Sequence, residues 1–257
     1  MAAPHLPAAI AQLVHELTDL PGVEAVVLGG SRATGTHRPD SDWDLGLYYR
    51  RSHRSFDPDR LRGLGYDGYV SALGEWGPIV HGGAWLTVEG IPVDFLFRDL
   101  DTVEAWCEEA QHGRFEVLAQ NGYIVGAPTY VPVGELALCR PIAGELPRPA
   151  FPTALAARAP VWWERRASVA LMFATDHAAA DDAACCTGML VGAALSAAHA
   201  RLAQRREWAL NEKRLLLRAG LDDVQALLAP AAMAGTTLPA TVAAVSSALG
   251  IPPLTAR

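Results

Sequence analysis

At 257 residues and 51% hydrophobic content, the chain is long enough to bury a substantial core, and its length fits one large domain or, as expected here, two smaller ones. No run of eighteen or more uncharged apolar residues is read in the sequence, and acids come early in "MAAPHLPAAIAQLVHELTDL", so neither a membrane span nor a signal peptide is expected and a cytoplasmic location is. The formal net charge of −7 is unevenly divided: residues 1–139 hold 9 Arg against 19 acids (−10), and residues 140–257 hold 12 basic against 9 acidic residues (+3). That balance argues against a nucleic-acid partner, which requires phosphate neutralisation, and suits a cationic small molecule.

The first helix is expected over residues 5–17, where Leu6, Ile10, Leu13, Val14 and Leu17 recur at helical spacing ahead of Pro21-Gly22. "EAVVLGG" reads as a buried strand ending on glycines, "SRATGTHRPDSD" as a short helix or turn followed by a loop, and "WDLGLYY" as a second strand. Because strand side chains alternate, Asp42 and Asp44 project from one face while Trp43 points to the other. After a Gly- and Arg-rich connection, "GGAWLTVEG" and "IPVDFLFRD" form a predicted hairpin turning at Glu89-Gly90. Asp94 shares a face with Leu96 in this otherwise apolar strand, a costly place for a charge unless it is paired or binds a metal.

A helix is expected from about 99 to 119 with Asp99 or Asp101 as its N-cap, followed by the proline-rich "LCRPIAGELPRPAFP". The domain boundary is placed there, giving 1–145 and 146–257. The remainder is rich in alanine and leucine. It predicts an antiparallel helical bundle built from "LAARAPVWWERRASVALMFATDHAA", "DDAACCTGMLVGAALSAAHARLAQRRE" and "NEKRLLLRAG", with a looser tail. The four cysteines lack zinc spacing and are expected as core thiols. His81, His177 and His199 are expected as hydrogen-bonded structural residues. Asp182 and its neighbours are expected as helix caps, with acceptor binding as the alternative reading.

Asp42, Asp44 and Asp94 are hard oxygen donors of the kind that hold divalent cations. Gly29-Gly30-Ser31 lies upstream, where a strand turns into a helix and backbone N–H groups can hold a phosphate. Arg32 and Ser41 flank the same loop as further phosphate contacts. Glu75 and Trp76, in the Gly-rich connection, are candidates for the acceptor side.

"GGSRATGTHRPDSDWDLGLYY", with ten residues between Ser31 and Asp42, together with Asp94 in "VEGIPVDFLF", resembles the signature of the DNA polymerase beta-like nucleotidyltransferase superfamily. The size and the helical second half are similar to its small-molecule branch, the aminoglycoside nucleotidyltransferases. The resemblance implies an α+β nucleotidyltransferase fold, a mixed sheet flanked by helices, followed by a C-terminal helical bundle. It also implies transfer of a nucleoside monophosphate, AMP from ATP, to a hydroxyl of a small cationic acceptor, using two Mg2+ ions. Asp42 and Asp44 would hold the metals. Asp94 would complete the second metal site or accept the acceptor's proton, and Gly30 and Ser31 would grip the terminal phosphates. Lys213, the only lysine, would reach the triphosphate from a late helix. A homodimer sharing the cleft is compatible with the resemblance, and the alternative activity is a toxin–antitoxin nucleotidyltransferase modifying a protein or a tRNA.

Overall fold

The computed structural model of the chain describes residues 6–38, 41–53 and 56–255. In chain order the first elements are α1 (Ala8–Thr18), β1 (Val23–Leu28), α2 (Gly30–Thr34), β2 (Trp43–Tyr49), α3 (Pro58–Arg62), β3 (Asp67–Val70), β4 (Gly83–Val88), β5 (Ile91–Asp99) and α4 (Leu100–Gln111). They are followed by β6 (Val117–Leu118), β7 (Ala127–Pro128), α5 (Val131–Leu138) and β8 (Arg140–Ala143). The chain then turns helical, with α6 (Thr153–Ala179), α7 (Ala183–Gln204), α8 (Leu215–Arg218), α9 (Asp222–Leu227), α10 (Pro230–Ala234) and α11 (Leu238–Leu249).

Two compact units result. The first runs through Glu109 and takes in Phe115–Gly122 and Gly126–Ala150; the second comprises Ala110–Arg114, Tyr123–Val125 and the chain from Phe151 onward. The stretch around residue 145 lies between β8 and α6.

The first unit is built on a six-stranded mixed sheet in the order β3-β4-β5-β2-β1-β8, with β2 and β5 parallel and the other neighbours antiparallel. Alternation assigns its two faces. Trp43, Leu45, Leu47 and Tyr49 of β2 and Val93, Phe95 and Phe97 of β5 point into one core, against Ile10, Leu13 and Leu17 of α1. On the opposite face Val27 and Tyr48 pack under Leu100 and Val103 of α4 and Leu136 of α5. Buried Arg98 projects from that second face too, and its guanidinium donates to both carboxylate oxygens of Glu135 on α5 at 2.6 and 2.9 Å. The second face is thus covered at the Tyr48 and Arg98 end, and it carries Asp44 and Asp94 at the other.

Several elements differ from the sequence expectation. The helix expected to 119 stops at Gln111, because Gly113 takes a left-handed conformation (φ 71°). Its cap is Asp99, which accepts from Asp101 N and Thr102 Oγ1. The Gly- and Arg-rich connection contains α3 and edge strand β3, and the proline-rich stretch contributes β8 beside β1; both are too short to show periodicity.

In the second unit α6 and α7 pack along one another, and α11 packs on both. The tail expected to be looser is ordered here, with α11 capped by Thr237 Oγ1 and closed by Gly250 at φ 68°. The helix expected from "NEKR" begins only at Leu215, since Arg214 adopts φ 54° and Asn211 Oδ1 accepts from Lys213 N in a turn. Lys213 is therefore exposed on a turn and not on a helix. Asp182 is the N-cap of α7, accepting from Cys185 N at 3.1 Å, as expected. His177, Asp182 and Cys185 place ligand-type atoms within 4.8 Å of one another, and the capping bond already accounts for Asp182.

Two further expectations are corrected. Cys185 is exposed on the first turn of α7, whereas Cys139 and Cys186 are buried. His199 is buried and stacked on Trp163 (4.3 Å between ring centres), yet neither ring nitrogen has a hydrogen-bond partner among the described residues, because the helices around it present mostly alkyl groups. Burial, reinforced by Arg166 and Arg218, pushes its pKa down to about 3. Among the described residues α7 alone is long and apolar enough to cross a membrane, and 56% of its most apolar stretch is buried within the protein, the signature of a core helix.

Candidate active site

The site begins where β1 runs out. Gly29 N donates to Asp44 O at 2.8 Å, which fastens the loop to β2, and α2 starts at Gly30. Gly30 has φ 54°, and a Cβ built there would collide with Asp44 Oδ2, so only glycine lets the carboxylate lie against the loop. The three-residue approach of chain to carboxylate is the local consequence of "GGS". Downstream, Arg32 braces the loop before β2: Nε donates to Asp42 O at 3.1 Å and Nη2 to Ser41 O at 2.5 Å, with the guanidinium 4.4 Å above the Trp43 ring. Ser41 Oγ accepts from Arg38 N at 3.0 Å.

Asp44 and Asp94 are register partners on the parallel strands β2 and β5, so their side chains project from the same face. Neighbouring strands are about 4.8 Å apart, so the two carboxylates rise from adjacent positions of one sheet face. Both residues are half-buried; Asp42, two residues before Asp44, is exposed. The structure therefore brings Gly30, Ser31, Arg32, Ser41, Asp42, Asp44 and Asp94 into one region of the first unit. Lys213 belongs to the second.

The same sheet row continues past Asp94. Trp85 of β4 is its antiparallel partner, and Tyr69 of β3 is the partner of Trp85. Trp76 comes from the connection before β4 and stacks on Trp85 with ring centres 4.7 Å apart. Trp76 and Glu75 were legible as candidates for this side, whereas Trp85 and Tyr69 were not singled out. Their signal lay in the alternation of "GAWLTV", which sends Ala84 and Leu86 inward and leaves a tryptophan outward. Glu75 accepts from the Tyr69 hydroxyl and from Ala72 N, and these bonds, the hydroxyl first, hold its carboxyl below the usual range.

A mixed sheet with two carboxylates on adjacent parallel strands, set against a glycine loop that opens a helix, agrees with the nucleotidyltransferase-like fold expected from the sequence. Residues 10–101 match the family model described as "Nucleotidyltransferase domain". That segment, from α1 to the start of α4, holds all three carboxylates and the glycine loop and is similar to such a domain; a C-terminal helical region follows it. Among solved structures, a nucleotidyltransferase-like protein from Exiguobacterium sibiricum 255-15 is similar over 94% of this chain and 72% of its own, with 10% sequence identity and a TM-score of 0.46. No curated protein matches the sequence.

Proposed function

We propose that the enzyme transfers AMP from ATP to a hydroxyl of a small, cationic acceptor such as an aminoglycoside, releasing pyrophosphate. The observation that carries the reading is the register pairing of Asp44 with Asp94 beside the Gly29-Gly30-Ser31 loop. The residues fit a divalent cation, because the donors are all carboxylate oxygens and Gly30 sets backbone, not a side chain, against Asp44. Mg2+ is the ion of choice for this set. When bound, a pair of such ions neutralises the triphosphate and aligns the attacking and leaving oxygens.

The chain's own residues then divide the work. Asp42 and Asp44 hold the ions from the edge of β2. Asp94 serves as a further ligand or takes the proton of the acceptor hydroxyl, as that oxygen bonds to the α-phosphorus and the bond to pyrophosphate breaks. Gly30 N–H and the Ser31 hydroxyl bind the terminal phosphates. Arg32 and Ser41 keep the loop in place and offer their remaining donors to the same phosphates. Lys213 is assigned as a triphosphate ligand on the resemblance alone, and replacing it by alanine tests this through the KM for ATP. The acidic first half of the chain (−10 over residues 1–139) favours a cationic acceptor over RNA.

The test is pyrophosphate release with each nucleoside triphosphate, Mg2+ and a panel of aminoglycosides, alongside label transfer from α-labelled ATP. Release that depends on ATP and an aminoglycoside is expected. Label entering a co-purified protein or tRNA, with no aminoglycoside turnover, would replace this acceptor by the toxin-type alternative.

A further inference from the structure

The exposed aromatic group beyond Asp94 is unusual for a surface. Trp85 is 55% exposed, the most of any described tryptophan, and Tyr69 is 41% exposed. Their rings lie 5.7 Å apart, and Trp76 stacks on Trp85 at 24° and on Tyr69 at 15°. Two large rings largely in water, with half-buried Trp76 stacked on both, cost solubility, and a contiguous exposed aromatic patch commonly marks a binding surface.

The patch is also held rigidly. The Trp76 ring covers Gly83, where any Cβ would collide with it. Trp76 O accepts from Gln120 Nε2 at 2.6 Å, and Gln120 Oε1 accepts from Ile79 N and Val80 N, so one buried amide fixes the connection carrying Trp76. Gly74 N donates to His81 O, and Ser71 Oγ accepts from Gly83 N, closing the base of the same connection. Tyr69 is tied to Glu75, and Arg62, the nearby cation, is engaged with Asp59 and Val70 O. Pre-set rings of this kind bind at low entropic cost.

Position in the row indicates the occupant. Across the face the order is the glycine loop, Asp44, Asp94, Trp85 and Tyr69. In an in-line displacement the attacking hydroxyl lies opposite the departing pyrophosphate, while the ribose and base leave the phosphorus sideways. With terminal phosphates at the glycine loop, the acceptor's direction is toward Trp85. Carboxylates flank the rings: Glu75 at Tyr69, and Asp67, which shares the Tyr69 face of β3. An aromatic face bordered by acids attracts both the C–H face of a saturated ring and its amines.

We infer that Trp85, Trp76 and Tyr69 form the acceptor platform, on which an amino-substituted sugar or cyclitol ring stacks with its hydroxyl turned toward Asp94. This rests on the nucleotidyl-transfer reading above and adds the residues that hold the acceptor ring. Trp85 is the central ring. Glu75 positions Tyr69 and borders the ring amines.

Calorimetric titration of the whole protein tests the platform with two probes: kanamycin, and a non-hydrolysable ATP analogue with Mg2+. Trp85→Ala is expected to weaken kanamycin binding about tenfold while the analogue's affinity stays within about twofold, and Trp85→Phe is expected to restore most of the loss. Circular dichroism should match the parent, since Trp85 is exposed. Equal kanamycin affinity in Trp85→Ala and the parent, or no kanamycin binding by a parent that binds the analogue, overturns the platform and leaves nucleotidyl transfer standing. A loss confined to the analogue reassigns the rings to the nucleobase and also overturns it. Failure of the parent to bind the analogue instead removes the nucleotidyl-transfer reading beneath.

Discussion

The two units bury their residues in opposite styles. The sheet unit packs bulky side chains such as Trp43, Phe95 and Phe97 on one face and leaves charge on the other. The helical unit packs α6 along α7, and the residues buried on these helices include Ala159, Ala167, Ala174, Ala193 and Ala197. Small residues let two helices approach closely, but they offer no polar partners, and His199 is buried without a hydrogen bond among the described residues. In the sheet unit Arg98 is paired with Glu135, while Asp44 and Asp94 are register partners on adjacent strands, Asp44 lying against the glycine loop. The contrast is one of packing: the sheet unit carries carboxylates on a face left partly open, while the helical unit buries mostly alkyl groups.

Substitutions can break that contrast, beginning with the largest effect. If Asp44 holds the metal as proposed, Asp44→Ala should lower kcat by about a thousandfold while sparing the apolar core; turnover assays and thermal melting together check both halves. Glu135→Gln leaves the Arg98 guanidinium buried beside a neutral amide and should destabilise the fold by about 3 kcal/mol in urea unfolding. A shift below about 0.5 kcal/mol would mean that the Arg98 charge is answered elsewhere. Gly30→Ala forces the loop off Asp44 and should cost about a hundredfold in kcat/KM, the usual effect of misplacing a reacting group by about 1 Å.

The smallest effect lies in the helical unit. His199 is neutral when folded and gains a proton when unfolded, since its pKa falls from 6.5 to about 3 on folding. The unfolded chain therefore binds more protons below about pH 6.5. Stability is fully present above that value and declines by about 1.4 kcal/mol per pH unit as pH drops below it. His199→Met should flatten this slope between pH 6.5 and 5 relative to the parent in urea titrations, and parallel slopes would contradict the assignment.

Legibility in the sequence followed the length and regularity of the elements. β2 and β5 alternate over the stretches that carry Trp43, Asp44 and Asp94, so the faces of these residues are readable in the sequence, and Glu89-Gly90 marks the hairpin. β3 and β8 are too short for a period, and their place in the sheet depends on pairing with strands distant in sequence. Gly30 was readable as a glycine suited to phosphate approach, but its contact with Asp44 needed the fold. The brace from Arg32 to the Ser41 and Asp42 carbonyls was hidden because backbone acceptors leave no mark in sequence. Lys213 was misplaced onto a helix because an Asn before charged residues is equally the start of a turn.

The central claim is that Asp44, with Asp94 beside it, holds a divalent ion for nucleotide transfer. Electron paramagnetic resonance of Mn2+ titrated into the protein with a non-hydrolysable ATP analogue reads this directly. Protein-bound Mn2+ should be seen with the parent and be lost in Asp44→Asn, whose thermal melting is unchanged. The same Mn2+ affinity in both proteins would contradict the account.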